Sequence, residues 1–236
     1  MTIKQRDLLL VRMTDEVGEL VLEDNDGQTR ALSLAVAAAP AMLDREARLI
    51  RTLEKAGRID RALDGLPDDE AIADRAADRH GLTRPEEAVL LSHAKLTLQE
   101  AVIASDLPDD PGLAGVLGRY FPTPLRSDFA EVIASHRLRR EIVTTRITSE
   151  IVDRMGAVFV FQTAERSGHP AAEVVRAYAI ARGAFDLPGL WEAIEALDGS
   201  MTADAQTEML QAVRGLADRA VGWLLRAGAK DVATTV

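Results

Sequence analysis

Gly81-Leu82-Thr83-Arg84-Pro85-Glu86 opens a run that continues to Ala104 with no further glycine or proline. Thr83 is placed to accept a hydrogen bond from the third helical amide, Glu86 to reach back to the amide of Thr83, and Pro85 is preset for a first helical turn. Val89 to Ala104 then reads as helix, and Ser105-Asp106-Leu107-Pro108-Asp109-Asp110-Pro111 reads as the loop that stops it. Composition points the same way. The apolar residues are mainly Ala, Leu and Val and only 4% of the chain is aromatic, whereas strands favour β-branched and aromatic side chains. The fold class is therefore all-α.

The same punctuation extends in both directions. Leu9, Met13, Val17 and Leu20 recur at spacings of four, four and three, which makes one apolar helical stripe. Asp24-Asn25-Asp26-Gly27 favours a turn and predicts a break there. Pro40 fits the first turn of a second long helix that carries Leu43, Leu49, Ile50 and Leu53 and stops at Gly57. A shorter helix follows Pro67 and ends near Gly81. Beyond the loop come a short helix to Tyr120, punctuation at Pro122-Thr123-Pro124, and a long pattern from about Phe129 to Met155 that closes at Gly156. Gly168-His169-Pro170 opens a helix to Phe185, Trp191 to Leu197 is another, and Thr202 to Ala227 is the last. The total is about ten helices. Val158-Phe159-Val160-Phe161 is the best strand candidate, but it has no partner and fits a buried helical turn equally well.

All nine aromatics lie between Tyr120 and Trp223. Residues 120–236 can thus build a dense lobe, while residues 1–119 must pack through Ala and Leu, as a lean helical arm does against another surface. Leu9, Met13, Val17 and Leu20 are the candidate arm contacts. The net charge of -10 disfavours nucleic acid and anionic membranes as partners. With no cysteine, disulfides, thiolate metal sites and Cys nucleophiles are excluded. Met1 to Asp7 has no signal-peptide core and no apolar run approaches the ~18 residues of a membrane span, so a cytoplasmic location is expected.

No catalytic constellation emerges. Gly112, Gly115 and Gly118 lack the spacing and the preceding strand of a dinucleotide loop. Asp24 to Gly27 fails as a calcium loop, since Leu22 and Ser33 would fall at ligand positions. His80, His93, His136 and His169 never fall four apart on one helix, and the acid pairs beside prolines suit helix starts. A Ser–His–Asp triad has no nucleophile elbow to sit on. The one suggestive cluster is His136-Arg137-Leu138-Arg139-Arg140-Glu141, followed by Thr144 and Thr145. His136, Arg137, Arg139, Arg140 and Glu141 are candidates for an interface or anion anchor, and ion pairing with neighbouring helices or with Glu141 is the structural alternative.

Several stretches, in order, resemble the helical region that follows the catalytic domain in large bacterial NAD-specific glutamate dehydrogenases. They are Lys4-Gln5-Arg6, Met13-Thr14-Asp15-Glu16-Val17, Asp24-Asn25 with Gln28, and Ala31-Leu32-Ser33-Leu34-Ala35. Gly81 to Glu86 with Ala88-Val89-Leu90-Leu91, Tyr120-Phe121-Pro122, His136 to Ile142 and Arg154-Met155-Gly156 continue the series. The likeness fades after about Leu225, and Ser149 and Asp153 stand where that family's pattern favours Asn. It implies a piece of a longer enzyme that oxidatively deaminates L-glutamate to 2-oxoglutarate and ammonia, with NAD as hydride acceptor. The family's glutamate-binding lysines and dinucleotide fold lie upstream, so no catalytic or cofactor-binding residue carries over to this segment. Its implied partners are the catalytic domain of the same polypeptide and further copies in a homo-oligomer. A stand-alone helical adaptor is the alternative.

Overall fold

The computed structural model describes residues 2–228, so the tail of the 120–236 lobe, residues 229–236, lies outside the described residues. Within them the fold is all-α: twelve α-helices and two 3-10 turns, with no strand. The strand alternative at Val158 to Phe161 gives way to a helix, because Phe159 and Val160 are buried on one side of its first turn.

The first helix, α1, runs unbroken over Ile3–Lys55, 53 residues and about 80 Å at 1.5 Å per residue. Two sequence expectations fail here. Asp24-Asn25-Asp26-Gly27 does not break the helix, because these turns are tied both across and along it: Asp24 meets Arg146 of a later helix at 3.2 Å, and Asp26 meets Arg30 of α1 itself at 2.8 Å. Pro40 does not start a helix but lies inside one. Interior proline removes one ladder bond and costs roughly 3 kcal/mol in an isolated helix. Here the alanine-rich turns before it propagate well, and the unserved carbonyl belongs to exposed Val36, where water can reach it.

Glycine 81 shows how tightly this stretch is pressed. A Cβ placed there would come within 2.3 Å of the Ala39 carbonyl carbon and 2.4 Å of its Cβ. Only a residue without a side chain lets the following segment lie against α1 just before Pro40.

After α1 come α2 (Arg61–Asp64), α3 (Asp69–Ala77) and α4 (Arg84–Ile103). The reach-back that the sequence predicts at α4 is present. Glu86 accepts from the Thr83 amide at 2.7 Å and hydroxyl at 2.8 Å, and also from Arg75 at 2.6 and 2.8 Å. Burial alone would raise its pKa, but these donors outweigh it and hold the carboxyl below its ordinary range.

The 3-10 turns Leu107–Asp109 and Pro111–Leu113 lead to α5 (Ala114–Tyr120), α6 (Thr123–Asp128) and α7 (Ala130–Ala134). The expected single helix from Phe129 to Met155 is split, with α8 covering Arg139–Met155. Ser135 folds its hydroxyl onto the Glu131 carbonyl at 2.9 Å, and His136 Nδ1 accepts the Leu138 amide at 3.2 Å. Such local side-chain bonds compete with the helical ladder. The rest is α9 (Phe159–Ser167), α10 (Ala171–Ala184), α11 (Leu187–Glu195) and α12 (Ala203–Ala227).

Two apolar cores form. The larger joins α4, α5, α8, α10, α11 and α12 around Tyr178, Ile147, Ile151 and Val174, and includes Leu34 of α1. The smaller gathers Leu43, Ile50, Leu53, Ile72, Leu82 and Leu90, with Val158 from across the chain. Both therefore draw on residues from either side of position 119.

The smaller core contains a buried acid pair. Glu46 of α1 and Glu87 of α4 hydrogen-bond each other, and Glu46 Oε2 and Glu87 Oε1 have no partner. Burial, then the charge of Glu87, pushes Glu46 up to about 9, and burial also raises Glu87.

Two outcomes follow for stability. Gly81→Ala overpacks the Ala39 contact and should cost about 1–3 kcal/mol, read as a melting temperature lower by roughly 2–10 °C. Gly18→Ala, in open space on the same helix, should hold or raise it. From pH 4.5 to about 9 the unfolded chain loses the Glu46 proton while the folded chain keeps it, so stability falls as pH rises across that window. Glu46→Gln should therefore raise the melting temperature at pH 8.5 and change it little at pH 4.5.

Candidate functional site: a docking arm and an arginine-lined groove

No residue of α1 before Ala31 is buried. The predicted stripe is the side turned towards the body: Leu9, Met13 and Leu20 are half-buried, while Val17 is 43% exposed. Glu16, on the same face, accepts the Thr123 amide at 2.8 and 3.0 Å and its hydroxyl at 2.8 Å. A carboxylate at the start of α6 suits the helix dipole, and the Thr123 bonds lower the Glu16 pKa. Arg12 lies 3.8 Å from Asp128 at the other end of α6. About a quarter-turn round the helix, Ile3, Leu10, Val17 and Val21 recur at spacings of seven, seven and four and form a second apolar flank, 43–73% exposed.

The basic cluster is divided by the turn into α8. His136 caps that turn and its ring meets Phe121 edge-on at 5.7 Å. Arg139 and Arg140 both pair with Asp109, and Arg140 also donates to the Ile103 and Ser105 carbonyls at 2.9 Å, closing the end of α4. Arg137 and Glu141 are exposed, and Arg137 precedes α8, so it does not share a helical face with Glu141. Thr144 is buried and Thr145 exposed.

A third site escaped the sequence. A groove of about 640 Å³ lies between the middle of α1 and helices α5, α6, α8, α10, α11 and α12, and it carries seven arginines. They sit on six elements separated by up to 184 positions (Arg30 to Arg214), so no local pattern marks them. Arg154 pairs with Glu195 and lies 4.7 Å from the Trp191 ring centroid. Arg182 donates to Glu150 at 2.6 Å, and Glu150 also accepts the Tyr178 hydroxyl at 3.1 Å. Asp153 pairs with Lys95 at 2.7 Å, although burial still raises its pKa.

The series Gly112, Gly115 and Gly118 does not form a strand-to-helix dinucleotide loop. Gly112 lies in a 3-10 turn, Gly115 and Gly118 lie inside α5, and no strand precedes them among the described residues. Among the same residues no group of three or more His, Asp or Glu is placed to hold a metal ion, and no helix is long and apolar enough to cross a membrane.

A 53-residue helix laid against eleven further α-helices, with no strand among the described residues, defines an all-α helical domain. Comparison with known proteins gives that class its family. The family model described as "Glutamate dehydrogenase, C-terminal" matches residues 79–236. The chain is 44% identical over 226 residues to an NAD-specific glutamate dehydrogenase of Halomonas elongata, covering 96% of this chain and 14% of that protein. Its counterpart in Pseudomonas aeruginosa is 43% identical over 239 residues, covering 99% and 15%. That of Mycobacterium tuberculosis is 39% identical over 221 residues, covering 94% and 14%. The chain belongs to the glutamate dehydrogenase C-terminal domain family, and it spans about one seventh of the length of these relatives.

Arg139 and Arg140 are tied to Asp109 and to carbonyls, so changing both to Ala should lower the melting temperature by several degrees. Thermal unfolding followed by circular dichroism checks this, and an unchanged melt would release the pair for a role in docking.

Proposed function

We propose that this chain is the non-catalytic helical region that braces an NAD-dependent glutamate dehydrogenase. The parent reaction would convert L-glutamate and NAD to 2-oxoglutarate, ammonia and NADH, with the catalysis and the NAD site upstream. The observation that carries the bracing role is the first half of α1. One face is held to the body through Glu16 and Thr123, while the flank of Ile3, Leu10, Val17 and Val21 faces solvent. An apolar strip of that length costs solubility unless something covers it, and the catalytic part of the same polypeptide is the natural cover. Homo-oligomeric assembly of the parent and a cytoplasmic location, where the NAD pool is found, go with this reading.

The test mixes this chain with a separately made catalytic part in sedimentation velocity. A complex at micromolar concentrations is expected. Leu10→Asp with Val17→Asp should weaken it at least tenfold while leaving helix content unchanged. Absence of a complex, or one indifferent to these substitutions, would overturn the proposal. Self-association of the chain through the same flank would instead assign that flank to a second copy.

A further inference from the structure

We propose that the groove binds a small, multiply charged oxyanion, a phosphate or a dicarboxylate, between Arg119, Arg126, Arg146 and Arg182. The seven arginines of the groove face seven carboxylates, but the pairing is uneven. Five of the lining carboxylates already hold a cation: Asp24 on Arg146, Asp26 on Arg30, Glu150 on Arg182, Asp153 on Lys95, and Glu195 on Arg30 and Arg154. The other two, Glu23 and Glu192, are exposed.

Three guanidiniums are left without a carboxylate. Arg126 donates to the carbonyls of Phe121 and Arg119, the latter at 3.2 Å, which fixes the corner between α5 and α6. Arg214 donates to the carbonyls of Arg154 and Asp153, the latter at 3.4 Å, and burial pushes it down to about 10. The Arg119 guanidinium has no hydrogen-bond or ion-pair partner among the described residues. The residue as a whole is exposed, but partial burial of its guanidinium, then the charge of Arg182, lowers its pKa against the opposing pull of Glu150, and Arg126 and Arg146 add to the repulsion.

Guanidinium groups that gather despite mutual repulsion are stabilised by an anion between them, and their planar forks suit carboxylate and phosphate oxygens. A groove of about 640 Å³ has room for such a ligand. The site is separate from the docking flank, because its α1 wall runs from Leu20 to Leu34 and uses none of Ile3, Leu10, Val17 or Val21.

Calorimetric titration of the 236-residue chain with inorganic phosphate and with succinate, each against chloride at matched ionic strength, tests the assignment. One-site, saturable binding in the millimolar range or tighter is expected for at least one of them. Arg119→Gln should weaken it about tenfold. Arg119→Lys, which keeps the charge but loses the fork, should fall between. Arg137→Gln, outside the groove, should change nothing. Arg119→Gln should also melt no lower than the parent without ligand, since it removes a repelled charge. A response that follows ionic strength alone, or binding that survives Arg119→Gln unchanged, would overturn the proposal.

Discussion

Arg30 reaches Asp26 one turn back on its own helix at 2.8 Å, and Glu195 and Asp198 across the groove at 3.0 and 3.4 Å. It lies one turn beyond Gly27, where local preference favours a break. With Arg146 holding Asp24, it keeps the weakest turns of α1 in register with the body. A single exposed ion pair contributes little, but these share partners, and the Arg30 side chain is only 17% exposed. Such a network resists the fraying that Asp, Asn and Gly would otherwise allow.

Continuity of α1 then sets the rest of the architecture. Its last third, from Leu43 to Leu53, forms one wall of the smaller core, and Leu34 enters the larger one. Between them the helix passes Pro40, where Ala39 is pinned by Gly81. At its middle, α1 meets the body through charged side chains more than apolar ones, and this leaves the groove open. Its first turns extend along α6 and keep one flank free. The rod, the groove and the free flank are thus consequences of one helix that does not break.

The sequence disclosed what local chemistry controls. Thr83 and Glu86 announced the start of α4, Gly57 and Gly156 the ends of α1 and α8, and Gly168 with Pro170 the change from α9 to α10. It misled where distant contacts override propensity, at Asp24 to Gly27 and at Pro40. It also hid the split at Ser135 and His136, because the apolar pattern runs straight through a break made by two side-chain bonds. The basic cluster was visible as a run, but only the fold places Asp109 under Arg139 and Arg140. Neither the Glu46–Glu87 pair nor the groove could be read from spacing, since each joins residues from separate elements. Family resemblance was legible because short motifs kept their order.

The distance between the two halves of α1 tests most directly whether it is one rigid helix through both Gly27 and Pro40. The chain has no native cysteine, so spin labels at Glu19→Cys and Asp44→Cys report without background, and both sites are exposed. A continuous helix places these positions ~38 Å apart. Pulsed dipolar spectroscopy should give a single narrow distribution close to that value, allowing for the label arms. A broad distribution, or one centred well below it, would mean that α1 breaks at the turn or at the proline and that the rod does not exist.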